Sequence, residues 1–95
     1  MLDITSIKKP VFEIQIAEGV ILHVLPPTKN TFERALKLQT SNVNEMYGIT
    51  AELLSNNEEK RKVSLEEVTE YDWYTVRKIF DEFLRFVINF SKDPN

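Results

Sequence analysis

Cysteine is absent from this 95-residue chain, which removes disulfide frameworks, thiolate zinc sites and cysteine nucleophiles together and fits a reducing compartment. Glycine is nearly absent: Gly19 and Gly48 stand alone, so no glycine-rich loop can cradle a phosphate. His23 is the one histidine, without the spaced partners that metal ligation or general base catalysis requires. It shares its phase with Ile21 and Leu25 and reads as a structural or surface residue. Positive charge is in deficit: 12 Lys plus Arg against 15 Asp plus Glu give a net charge of -3, so a nucleic-acid backbone is repelled on average. No apolar run reaches the roughly 20 nearly uncharged residues of a membrane span. The opening MLDITSIKKP has neither the apolar core nor the cleavage site of a secretory signal, so the mature chain is expected to begin where the sequence does.

What remains, 42% hydrophobic and 28% charged, is the composition of one soluble globular domain spanning residues 1–95. A core of this size stabilises with a modest margin, which gives partners and self-association a role in stability. Residues 1–9 read as an extended arm ending at Pro10. Val11 to Ile16 alternates strictly, Phe12, Ile14 and Ile16 against Glu13 and Gln15, and Val20 to Leu25 resumes an apolar β-branched run. With Gly19 free to take a positive φ between them, residues 10–25 form a hairpin whose Phe12 face lies on helices. Pro26-Pro27 ends it.

Beyond Thr28 the period changes to that of helices, expected over 28–39, 43–56, 65–70 and 73–91. The first presents Phe32, Ala35, Leu36 and Leu38. The second, opened by Asn42 and Glu45 as an approximate capping box, carries Val43, Met46, Tyr47, Ile49 or Thr50, Leu53 and Leu54, with Gly48 suited to close approach of another helix. Thr40-Ser41 breaks the chain before it and Asn56-Asn57 stops it. Residues 57–62 read as a solvated connection. Ser64 and Glu67 form a capping box for the short third helix, footed on Val63, Leu65 and Val68, and the closing residues 92–95 should fray. The fold class is therefore α+β: an N-terminal two-stranded antiparallel hairpin packed on a mainly helical bundle of three main helices and one short one.

The acidic residues Glu66, Glu67, Glu70 and Asp72 lack EF-hand spacing and are explained as helix-start carboxylates. No residue set points to catalysis, a cofactor or a metal. The chain's most apolar stretch, Asp72 to Ser91, is where partner chemistry concentrates. Placed at 100° per residue, Val76, Phe80, Phe83 and Val87 run down the middle of an apolar arc of roughly 200°, against about 100° for an ordinary surface helix. Ile79, Phe86 and Phe90 form one margin, Leu84 and Ile88 the other. One small layer cannot cover both, so these five are the candidate partner-binding residues, Leu84 and Ile88 foremost because Arg77, Asp81 and Arg85 give them a polar rim.

Three phrases, FEIQIAEGVILHVLPPT, NEMYGITAELLSNNEEKRKVSLEEVTEYD and WYTVRKIFDEFLRFV, in this order and spacing resemble the tail assembly chaperones of long-tailed bacteriophages and prophages, particularly of Gram-positive hosts. The resemblance covers most of the chain. It implies a non-enzymatic protein of the host bacterial cytoplasm, absent from the mature virion, that holds the tape measure protein, and engages tail tube subunits, by burying apolar helix surface. It also implies, for many members, a longer frameshifted form. It brings no site residues with it. Self-association is compatible with it; a membrane partner is not expected, and neither is nucleic acid. The alternative is a small prophage regulatory or nucleic-acid-associated protein using Lys60, Arg61 and Lys62 with Lys8 and Lys9 as a local basic patch.

Overall fold

The switch from a two-residue to a 3.6-residue period at Pro26-Pro27 is also the boundary between sheet and helices in the three-dimensional structure, a computed structural model that describes residues 1–38 and 42–92, with side chains through Phe90. Strand β1 (Phe12–Ala17) pairs antiparallel with β2 (Val20–Val24), Phe12 opposite Val24 and Ile14 opposite Leu22. Gly19, at φ +76°, closes the turn, a conformation an L side chain resists, and the register shifts between Gln15 and Ala17. Leu22 and Val24 are fully buried and Phe12, Ile14 and Ile16 pack against the same core, so the hairpin gains from the helices the burial that an isolated hairpin lacks.

Helices α1 (Lys29–Lys37), α2 (Val43–Ser55), α3 (Leu65–Thr69) and α4 (Trp73–Lys92) follow. Each starts at an oxygen-bearing side chain that accepts the amide three residues on: Thr28 from Thr31 (3.4 Å), Asn42 from Glu45 (3.1 Å), Ser64 from Glu67 (3.1 Å) and Asp72 from Thr75 (2.7 Å). Such caps contribute about 1 kcal/mol apiece and fix where each helix begins. The amide of Thr75 also holds the Asp72 carboxyl below its ordinary range.

The core unites Met46, Ile49, Leu53 and Leu54 of α2 with Val76, Phe80, Phe83 and Val87 of α4, closed by Leu22, Val24, Ala35, Val63 and Val68. Helix α2 is as much the organising element as α4, because it touches α1, α3, α4 and β2.

Several expectations need correction. The arm is not extended throughout: Ile4–Ser6 forms a 3₁₀ turn, capped by Asp3 accepting from Thr5. Leu36 and Leu65 are 58 and 52% exposed, since α1 and α3 are too short to present a full apolar face and only Ala35 and Val68 of those helices are fully buried, and Val43, the first residue of α2, is 46% exposed. The box at Ser64 is half formed, because the Glu67 carboxylate goes to Arg61 at 2.8 Å instead of returning to the cap amide. The expected end of α1 at Gln39, the break at Thr40-Ser41 and the fraying of 93–95 lie outside the described residues.

Gly48 is not a close-packing glycine either. A Cβ built there meets nothing within 4 Å, so the helix-propensity cost is offset by no contact. Gly48→Ala is expected to raise stability by about 0.5–1 kcal/mol, read as a higher urea midpoint at unchanged slope. A lowered midpoint would mean that α2 needs the freedom of glycine.

Candidate functional site

The arc of α4 divides as its wheel requires. Val76, Phe80, Phe83 and Val87 are all 5% exposed or less, while the five margin residues divide between half-buried and exposed. Ile79, Leu84, Phe86 and Phe90 are half-buried and lean on the core; Ile88 is 47% exposed.

On the aromatic margin the hairpin supplies a wall that the helix wheel alone could not show. Phe12 meets Phe83 edge-on at 5.5 Å between centroids and Phe86 at 5.7 Å, and Phe86 meets Phe90 edge-on at 5.2 Å. Edge-to-face contacts at these separations stabilise beyond area burial alone and keep the rings in fixed orientation. Beside them opens a groove of 420 Å³ lined by Phe12, Phe86 and Phe90, with Glu82, Arg85 and Asn89 as its polar rim. Arg85 and Glu82 are paired at 2.8 Å, so the rim presents no isolated charge there. Apolar floor and paired polar edge are the anatomy of a protein-binding patch. On the opposite margin, Leu84 and Ile88 lie beside Arg77 and Asp81, which face each other at 3.6 Å. The Arg77 guanidinium lies 5.9 Å from the Trp73 ring centroid, and that ring stacks on Tyr47 of α2.

The segment after α2 is more structured than its charge-rich sequence implies. It adds a third-strand stub to the free edge of β2: Leu25 N–H donates to the Asn56 carbonyl (2.8 Å) and Glu58 N–H to that of His23 (2.9 Å), around a bridge between Val24 and Asn57. Asn57, 5% exposed, donates to the Leu54 and Arg61 carbonyls at 2.7 and 2.8 Å and accepts from Arg61 N–H at 3.0 Å. That uses both N–H groups and the oxygen of its amide and holds a tight turn in which Lys60 takes φ +56°, a left-handed conformation costing a non-glycine residue about 1–2 kcal/mol. Glu59 then clasps His23, one oxygen accepting the backbone N–H at 2.9 Å, the other 2.6 Å from Nδ1, while Glu13 lies 3.7 Å from Nε2. His23 is thus a latch residue on the sheet surface. Among the described residues no group of three or more His, Asp or Glu side chains is arranged to hold a metal ion. Of the basic patch, Arg61 is committed to Glu67.

The clasp predicts a pH dependence. Its hydrogen bond to Glu59 raises the His23 pKa above the ordinary 6.5, so its contribution is complete below that value and is lost as pH rises through the higher folded-state value. Hydrogen bonds from the His23 backbone and ring lower the Glu59 pKa below 4.5, so that contribution is present above 4.5 and is lost as pH falls through the depressed value. The clasp is therefore strongest between about pH 4.5 and 6.5. Imidazole titration by NMR should give an elevated His23 pKa that returns to the ordinary range in Glu59→Gln. An unshifted wild-type value would mean that the clasp is open in solution.

Architecture and surface together define a small hairpin-and-helix α+β domain with an apolar groove beside its last helix. No family model matches this chain, and no curated protein or solved structure matches it. No helix among the described residues is long and apolar enough to cross a membrane.

Proposed function

We propose that this domain is a phage tail assembly chaperone, binding the tape measure protein, and tail tube subunits with it, by burying apolar helical surface against α4. The observation that carries the reading is the groove between Phe12 and the Phe86–Phe90 edge: formed, apolar and rimmed by polar side chains, it suits the apolar face of an amphipathic helix. A client helix would place side chains at positions i, i+3, i+4 and i+7 along it, and the chaperone's net negative charge would keep the complex dispersed. The resemblance of the three sequence phrases supplies the class of client; the groove supplies the chemistry.

Co-expression with a tape measure protein from the same genome tests the proposal on two margins at once. Phe90→Glu, near the end of α4 and only half-buried, should keep cooperative unfolding and lose co-purification of the client. Leu84→Glu/Ile88→Glu, on the other margin, should keep it. If the pattern reverses, the client uses the Leu84–Ile88 side, and if wild type retains no client, the proposal falls. The regulatory alternative predicts instead duplex binding that weakens steeply with salt.

A further inference from the structure

The two edges of the sheet differ. That of β2 is covered: His23 N–H donates to the Glu59 carboxylate, the His23 carbonyl accepts from Glu58 N–H, and Leu25 N–H donates to the Asn56 carbonyl. Backbone groups alternate sides along a strand, so with His23 and Leu25 turned to the stub, Leu22 and Val24 turn theirs to Ile14 and Phe12 of β1. The same alternation aims the N–H and C=O of Glu13 and Gln15 at the outer edge of β1. Nothing in the chain meets them. Outside the hairpin's own pairing, no backbone hydrogen bond among the described residues involves residues 12–17, and the arm of residues 1–10 is exposed throughout. The edge also lacks the usual devices against strand addition, for no proline, lysine or arginine stands between Phe12 and Ala17. The register shift that leaves Ile16 without a partner lies beyond the two outward-facing residues.

We propose that β1 pairs antiparallel with β1 of a second copy of the chain across a two-fold axis at Ile14, joining two hairpins into one four-stranded sheet. A second copy is the occupant because β1 is its own complement. With the axis at Ile14, Glu13 of each copy lies opposite Gln15 of the other, and the outward backbone groups of these residues form four hydrogen bonds. On the exposed face the Gln15 amide then donates to the Glu13 carboxylate across the axis, and on the core face Ile14, half-buried in one copy, meets its counterpart. Neighbouring registers are worse. An axis at Glu13 sets two carboxylates opposite each other, and one at Gln15 sets Glu13 against Ala17, past the register shift. The flanking charges agree with the Ile14 axis, which brings Lys9 alongside Glu18 of the other copy at each end of the new pair; neither has an ion-pair partner among the described residues. Association stops at the dimer, because pairing consumes the edge of β1 and the stub covers that of β2. So short a strand pair falls below the ~1,200 Å² of stable interfaces, so the dimer is weak. None of this depends on the identity of a client.

Sedimentation of the domain alone, from micromolar to millimolar concentration, should show a monomer–dimer equilibrium. Over the same range, hydrogen exchange at the Glu13 and Gln15 amides should slow as concentration rises, while the Ile14 amide, bonded within the hairpin, stays equally protected throughout. Gln15→Pro removes an N–H that serves no bond within the chain, so it should keep cooperative unfolding and leave the protein monomeric. Gln15→Glu keeps that N–H but sets like charges opposite each other twice; it should weaken dimerisation roughly three- to tenfold, and adding Glu13→Gln should restore it. This charge exchange decides the matter if the proline variant fails to fold. A wild type that stays monomeric at every concentration, a dimer whose Glu13 and Gln15 amides exchange as fast as in the monomer, or a folded Gln15→Pro protein that still dimerises overturns the proposal. So does protection of those two amides by a client in a domain that remains monomeric, which would give the edge to a client strand.

Discussion

Phe83→Ala is expected to lower the unfolding free energy by about 3–5 kcal/mol, the cost of removing a buried ring and leaving its cavity only partly filled. Phe83 is 2% exposed at the junction of hairpin and α4, edge-on to Phe12 at 5.5 Å and 5.7 Å from Phe86. Two aromatic pairs and the hairpin's seat on the helix are lost together. A chain of this length holds roughly 5–14 kcal/mol in all, so the variant spends a large share of its stability and should melt about 15–30 °C lower. Phe83→Leu should recover much of the loss, because a volume-closer aliphatic fills most of the cavity. A melting temperature within a few degrees of wild type for the alanine variant would show the hairpin and α4 to be less closely packed than their ring contacts imply.

The second large effect is expected from a polar residue. Asn57→Ala removes three hydrogen bonds at a site where water has little access, leaving the Leu54 carbonyl and both backbone groups of Arg61 without their partner. Unsatisfied buried groups cost about 1–3 kcal/mol each, moderated by local relaxation, so a net loss of about 2–4 kcal/mol is expected. The loss should be local before it is global. Hydrogen exchange at the Leu25 and Glu58 amides should accelerate, and the His23 pKa should fall toward its ordinary value as Glu59 is released. Wild-type protection at both amides would show that the stub on β2 is held by its backbone bonds alone.

The two variants also mark what could be read in the chain and what could not. Phe83 was legible because a helix repeats every 100° and its neighbours at 76, 80 and 87 lie in one sector. The hairpin was legible because Phe12, Ile14 and Ile16 alternate with Glu13 and Gln15 before a glycine and a proline pair. The helix starts were legible because Thr28, Asn42, Ser64 and Asp72 cap by contacts three residues away. Asn57 was not, because a buried asparagine and a turn asparagine look alike until the carbonyls they serve are placed. Nor was the His23–Glu59 clasp, formed across 36 residues that no local period connects. At the candidate site the helix supplied Phe86 and Phe90 from its own periodicity, whereas Phe12 became the groove's second wall only when the hairpin's docking angle was known. Leu36 and Leu65 misled because apolar residues on a one- or two-turn helix need not find a layer to cover them.

The most direct test of the central claim, that this domain keeps an apolar helical client soluble through the groove beside α4, is light scattering from a denatured tape measure protein diluted into buffer with and without the domain. Wild type at equimolar concentration should suppress scattering, and Phe90→Glu, though equally folded, should not. Scattering that is unchanged by wild type, or suppressed equally by both proteins, would contradict the account.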